Sequence, residues 1–250
     1  MRDNPSMRRA LLIAFAFGLA AGAQETRIPD LTAEQILQKA IDATGGAAAR
    51  EKIKSVVMKG EFELAGQGVR STLEIYSKAP NKRLSVTKIE GFGEMKQGFD
   101  GQNAWVQDPQ GNIRDVTGPQ LTLMQREGQF NADLKWKELY EKVEVQGKEK
   151  VEGKDAYVLK LTPKTGPPVV RYYDAAAYLL VRSDLSVNTP QGEFTLKSVL
   201  SDYRDVDGAK MPFQMTQQMP MGTMTTRITE AKTNLPIDDQ VFAKPGGAPK

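Results

Sequence analysis

From Ser55 onward apolar and polar residues alternate along most of the chain. Val56, Met58, Phe62 and Leu64 alternate with Val57, Lys59, Glu61 and Glu63. Val69, Leu73 and Ile75 then alternate with Arg70, Thr72, Glu74 and Tyr76. A period of two predicts strands with one apolar and one wetted face, as in an antiparallel sheet. Further strands are predicted near 82–90, 94–100, 103–108, 143–151, 155–162, 168–174, 178–187, 192–205, 210–220 and 223–232. Short turns separate most of them: Gly66-Gln67-Gly68, Pro80-Asn81, Gly153-Lys154 and Asp207-Gly208. The spacing predicts an up-and-down meander of about ten to twelve strands, an open sheet large enough to curl.

Two stretches depart from this period. Thr32 to Ile41 carries an apolar stripe of Ile36, Leu37, Ala40 and Ile41, a Thr32/Gln35 capping box at its start and Gly45-Gly46 at its end. That pattern predicts a helix. Residues 117–142 read as largely helical, with Pro119 near the start of a short helix. A helical insertion in a β meander is a candidate lid.

The N-terminus reads as a secretory signal peptide, 1–23. Arg2, Arg8 and Arg9 precede the apolar run 10–20, and Ala21-Gly22-Ala23 forms a small-residue cleavage site. The run has 11 residues, well short of the roughly 20 that span a bilayer. Removing 1–23 takes away three arginines and Asp3, so the formal charge falls from +3 to +1. Near-neutral charge argues against nucleic acid as a partner. The mature chain is then expected to be one domain, 24–242, followed by a disordered tail, 243–250.

The sequence has no cysteine and no histidine. Disulfides, a lipidated N-terminal cysteine, Ser-His and Cys-His nucleophile pairs and imidazole metal sites are therefore unavailable. No cofactor or metal is expected.

Four stretches carry candidate chemistry. In Gln97-Gly98-Phe99-Asp100-Gly101-Gln102-Asn103-Ala104-Trp105, Asp100-Gly101 lies between two strand patterns and predicts a hairpin. A catalytic Asp100 has no histidine or cysteine partner. Asp202 to Gly208 fails the calcium-loop template, because Arg204 and Phe213 stand where ligands are required. Gly147 to Asp155 has one residue too many between its glycines for a phosphate loop. Met211 to Met224 holds five of the ten methionines. Met211, Phe213, Met215 and Met219 share parity. They read as core filling, as an adaptable wall for an apolar ligand, or as thioether ligands for copper(I).

Tyr76-Ser-Lys78-Ala-Pro80-Asn81-Lys-Arg83-Leu84, followed by Phe99-Asp100-Gly101-Gln-Asn-Ala-Trp105-Val-Gln-Asp108-Pro109, resembles the outer-membrane lipoprotein carrier family, the LolA-type chaperones and their LolB-type relatives. Tyr172-Tyr173-Asp174, Asp202-Tyr203-Arg204 and Gly208 to Phe213 are similar to a broader lipoprotein-sorting group. The resemblance covers roughly 32–242 in layout and rests on turns more than on chemistry. The C-terminal meander and the methionine-rich strand are extra to the typical carrier. The family's sheet arginine that touches the lid is not matched to a residue of this sequence.

The resemblance implies a mainly β fold with a few helices: a strongly curved antiparallel sheet, an unclosed barrel, with an N-terminal helix and a mid-chain lid over an apolar cavity. The expected lining is Met58, Phe62, Leu64, Leu73, Ile75, Leu84, Val86, Met95, Phe99, Trp105, Leu123, Met124, Phe213, Met215 and Met219. Leu121, Leu123 and Met124 are expected to close it. The function implied is a periplasmic, monomeric carrier of lipoprotein or phospholipid acyl chains that makes transient membrane contact. An inner-membrane exporter or outer-membrane acceptor would be its partner. A sensory or partner-binding module of the same fold and a carboxylate-based hydrolase are the alternatives. Nothing in the sequence places two carboxylates in one cleft.

Overall fold

The computed structural model describes residues 30–65, 70–189, 192–219 and 222–246. The segment 1–23 expected to be a signal peptide, the Gly66-Gln67-Gly68 stretch, Val69 and Met221 lie outside the described residues. Helix α1 (Ala33–Ala43) begins with the capping box expected of it. The Thr32 hydroxyl accepts from the Gln35 N–H, and the Thr32 N–H donates to Gln35 Oε1. Its apolar stripe, Ile36, Leu37 and Ile41, is buried. Gly45, at φ +106°, turns the chain into α2 (Gly46–Lys52). A Cβ there would lie 2.0 Å from the Gly208 carbonyl oxygen, so the corner fits glycine alone.

Six strands follow in a meander: β1 (Ser55–Leu64), β2 (Arg70–Lys78), β3 (Lys82–Ile89), β4 (Gly93–Phe99), β5 (Ala104–Gln107) and β6 (Ile113–Val116). The helical insertion comes next, with α3 (Gly118–Gly128) and the single turn α4 (Trp136–Leu139). Seven more strands complete the fold: β7 (Tyr140–Val151), β8 (Lys154–Pro163), β9 (Val169–Asp174), β10 (Leu180–Thr189), β11 (Gly192–Val206), β12 (Ala209–Met219) and β13 (Gly222–Thr233). A 3₁₀ turn, Asp239–Phe242, lies near the C-terminus. The thirteenth strand is β6, which the sequence pattern did not announce.

All thirteen strands form one antiparallel sheet in the order β6-β5-β4-β3-β2-β1-β13-β12-β11-β10-β9-β8-β7. The two meanders are joined by β13 pairing with β1, and β6 and β7 are the open edges. The sheet is curled. Helix α3 packs on β3, β4 and β5, yet Arg126 from its last turn donates to the carbonyl of Pro167, just before β9. In a flat sheet β4 and β9 would stand eight strand spacings apart, about 38 Å. An 11-residue helix is only about 16 Å long. One helix reaches both places because the sheet wraps round it.

The concave face is therefore the one bearing the helices. On it Phe99, Ala104, Val116 and Met124 form one core cluster with Val106 and Leu121. Ile53, Val56 and Ala209 form another with Met58, Met211 and Phe130 from the insertion. The convex face has its own cover. Residues 234–244 run across β2–β5 there, burying Phe242 against Leu84 and Trp105. The Trp105 indole N–H donates to the Phe242 carbonyl at 2.9 Å.

Candidate functional site

The strand register places the concave-face side chains in rows. In one row Phe62 lies between Ser71 and Thr226, followed by Met215 and Leu200. In the next, Leu64, Met224, Gln217, Ser198, Ser183 and Arg171 follow one another across six strands. Leu73 pairs with Thr87, which pairs with Met95, and Ile75 sits beside Met58. The helices cover only part of this face. Phe62, Leu64, Leu73, Ile75, Met95, Met215, Met219 and Met224 point into the curl, and each remains part-exposed. Leu185, Leu196 and Leu200 are part-exposed as well. The concave side of β1–β4 and β10–β13 is thus an apolar face that the helices leave part-covered.

The expected lining is thus brought together only in part. Met58 is packed under Phe130, and Phe99 and Met124 are closed into the α3 cluster. Leu123, also on α3, is part-exposed. Three residues fall on the opposite face. Leu84, Val86 and Trp105 pack with Tyr76, Ile113, Ile237 and Phe242 under the C-terminal segment. The physical reason is that both faces of β2–β5 are covered, so apolar parity does not mark the inside there. Ser85, Thr87 and Gln97 are on the concave face instead. Phe213 lies where β12 has parted from β13, beyond the Gln214/Arg227 pair. The Arg204 guanidinium sits 4.5 Å from its ring, and the two line a separate shallow cleft with Asp207 and Lys232.

Several concave-face residues escaped the sequence reading. Met224, Leu185, Leu196 and Leu200 carried a signal in their strand parity. Ser71 and Thr226, both buried, carried none, because small hydroxyl residues suit either face. The Ser71 hydroxyl is buried with no hydrogen-bond partner among the described residues. Arg171 also went unnoticed, since a lone arginine in a strand reads as a wet-face residue.

At the junction of insertion and sheet lies a polar cluster. Arg50 holds Asp133 through both guanidinium nitrogens at 2.5 Å. Burial opposes the charge on Asp133, but the hydrogen bonds from Arg50 outweigh it and keep the carboxyl below its ordinary pKa. Arg171 donates to the Tyr140 hydroxyl at 3.2 Å and also bonds Tyr173. The Tyr203 hydroxyl donates to the Leu180 carbonyl at 2.7 Å, and burial pushes its pKa up.

The turn residues have structural roles. Asp100 Oδ1 accepts from the N–H groups of Gln102 and Asn103, closing the loop between β4 and β5. Asp202 pairs with Arg204 at 2.6 Å, Asp205 accepts from the Gly208 N–H, and Asp207 accepts from the Thr233 hydroxyl.

The architecture is that of an unclosed, curled antiparallel sheet whose apolar concave face lies under partial helical cover. No family model matches the sequence, and no curated protein matches it. Solved structures do share the fold. A LolA superfamily protein from Nitrosomonas europaea superposes with a TM-score of 0.59 at 15% identity, over 86% of this chain and 99% of that one. A DUF1329 family protein from Desulfovibrio piger gives 0.57 at 18% identity, over 84% and 97%. A putative outer membrane lipoprotein-sorting protein domain from Vibrio parahaemolyticus gives 0.53 at 16% identity, over 84% and 97%. The fold implied by the sequence resemblance is the fold observed, that of the LolA superfamily and lipoprotein-sorting proteins.

Proposed function

We propose that this protein is a non-catalytic periplasmic carrier. It holds the acyl chains of lipoproteins or lipids in a groove along the concave face and moves them towards the outer membrane. The observation that supports this most is the concave face itself. Phe62, Leu73, Met95, Met215 and Met219 point inward and are still only partly covered. Protein cores are normally filled to crystal-like density. An inward apolar face left part-covered suits a guest with apolar chains. Methionine adapts to guests of different shape, and four methionines stand on this face at 95, 215, 219 and 224. The acyl chain gains about 0.8 kcal/mol per buried CH₂, so binding requires no bond to be made or broken. A side-chain set without cysteine and histidine suits that work.

Native mass spectrometry of the mature protein, purified without detergent from its envelope fraction, tests the reading. A stoichiometric acylated adduct is expected, and its loss in a folded Met215→Asp variant would place it in the groove. A clean protein mass, together with no uptake of added fluorescent acyl probes, would overturn the carrier role. Partner binding would then be the better account of this face.

A further inference from the structure

Where the insertion meets the sheet, guanidinium groups outnumber the buried carboxylate beside them. Three guanidinium groups, Arg50, Arg126 and Arg171, converge where the insertion meets the sheet. Arg50 uses its charge on Asp133. Arg171 donates to the Tyr140 hydroxyl, lies 5.8 Å from the Tyr140 ring centre and bonds Tyr173, and it shares the field of Asp133 at longer range without pairing to it. Arg126 donates to the Pro167 carbonyl. Neither Arg126 nor Arg171 has a carboxylate within ion-pair distance among the described residues. Burial lowers the Arg126 pKa from its ordinary value against the opposing pull of Tyr140 and Glu127, and the charge of Arg171 adds a smaller push in the same direction as burial. The two cations are thus neighbours in a partly desolvated place. Asp133 and Glu127 compensate these charges only from a distance; charge without a paired anion in such a place is costly, and a bound anion would offset the cost.

The position of the pair relative to the groove gives the anion its class. Arg171 starts the row that continues through Ser183, Ser198 and Gln217 to Met224 and Leu64. Gln217 Nε2 donates to Ser198 Oγ at 3.1 Å, so this row offers hydroxyl and amide groups. Apolar rows flank it. Val169, Leu185 and Leu196 lie on one side; Leu200, Met215 and Phe62 lie on the other. A cationic end, a polar strip and two apolar flanks match the order of groups in an amphiphile.

We propose that Arg171 and Arg126 receive the anionic headgroup of an amphiphile whose chains occupy the groove. The ligand class is therefore an acyl chain bearing a phosphate or carboxylate oxyanion, which guanidinium groups bind through paired hydrogen bonds. The inference rests on the carrier reading and narrows it.

Displacement of a neutral fluorescent acyl probe by dodecyl phosphate, dodecanoate and dodecanol tests it on the mature protein. The two anions are expected to bind about tenfold or more tightly than the alcohol, a margin that 0.5 M salt erodes. A stronger effect of the phosphate points to a lipid phosphate as the natural headgroup, and a stronger effect of the carboxylate points to a fatty acid. Arg126→Gln and Arg171→Gln should each reduce the margin while leaving dodecanol affinity within about twofold. Arg126 is on the insertion and outside the Tyr140/Tyr173 contacts, so it tests the site even where Arg171→Gln fails to fold. Equal binding of all three compounds by the unaltered protein would overturn the anion site and leave the carrier reading standing. Uptake of none, including the probe, would overturn both.

Discussion

Gly98 and Trp105 face each other across β4 and β5, and the fit leaves no room for a methyl group. A Cβ on Gly98 would lie 2.3 Å from the indole of Trp105, which is only 2% exposed. The indole cannot move away without breaking its bond to the Phe242 carbonyl. Gly98→Ala is therefore expected to destabilise the fold by about 1–3 kcal/mol, the usual range for overpacking. Urea unfolding would show a lower midpoint, and tryptophan emission would shift to the red in the native baseline. A midpoint and native spectrum like those of the unaltered protein would contradict this packing. The same hairpin explains Asp100. Burial works against its ionisation, but the backbone N–H groups of Asn103 and Gln102 outweigh it and hold the carboxyl below its ordinary pKa. Its charge is used to fix the loop that brings Trp105 over Gly98.

At the scale of elements, the C-terminal segment acts as a strap on the convex face. Phe242 is 0% exposed, and Lys78 bonds both the Ile237 carbonyl and Asp239 at 2.7 Å. Phe242→Ala is expected to cost about 3–5 kcal/mol, as for other buried phenylalanines, measured as a loss in unfolding free energy. Asp239 adds a pH dependence. Its hydrogen bonds from Lys78, then from Lys82, depress its pKa from 3.8 to about 2. Because the folded-state value is the lower one, its contribution is complete above pH 4 and is lost as pH falls towards 2. Asp239→Asn should therefore weaken the strap at neutral pH and flatten the dependence between pH 4 and 2, followed through Trp105 emission. A variant that titrates like the unaltered protein would assign that dependence to other groups. The strap also marks the limit of what the sequence carries. Local signals served well: the Thr32/Gln35 box, the Asp-Gly turns and the alternation of β1 and β2 each lead to the observed element. The short β6 was missed because Arg114 and Asp115 interrupt its alternation within four residues. Leu84, Val86 and Trp105 were placed inside because parity separates two faces and does not say which is concave. That choice is made by residues 234–244, over a hundred positions away in the chain.

At the scale of the whole molecule, the governing fact is that the sheet curls without closing. Its edges, β6 and β7, belong to different meanders, and the insertion that links them in the chain packs on the concave face. A closed barrel of this size would hold a fixed interior, whereas on the carrier reading the open sheet offers a groove whose usable length the ligand itself can report. This makes ligand chain length the informative variable. Each added pair of methylenes lying in the groove gains about 1.6 kcal/mol, or roughly a tenfold fall in dissociation constant. Affinity for a series of single-chain amphiphiles should rise by about that factor per pair and then level off, because further carbons project into water. The carbon number at the break measures the usable length of the groove. Leu73→Asp places a charge on its wall and should weaken the whole series while leaving Trp105 emission, on the other face, unchanged. A slope near zero from the shortest chain onward would mean that the part-covered residues pack against one another rather than against a guest. A slope that never levels would mean that the chains bind as aggregates outside the groove.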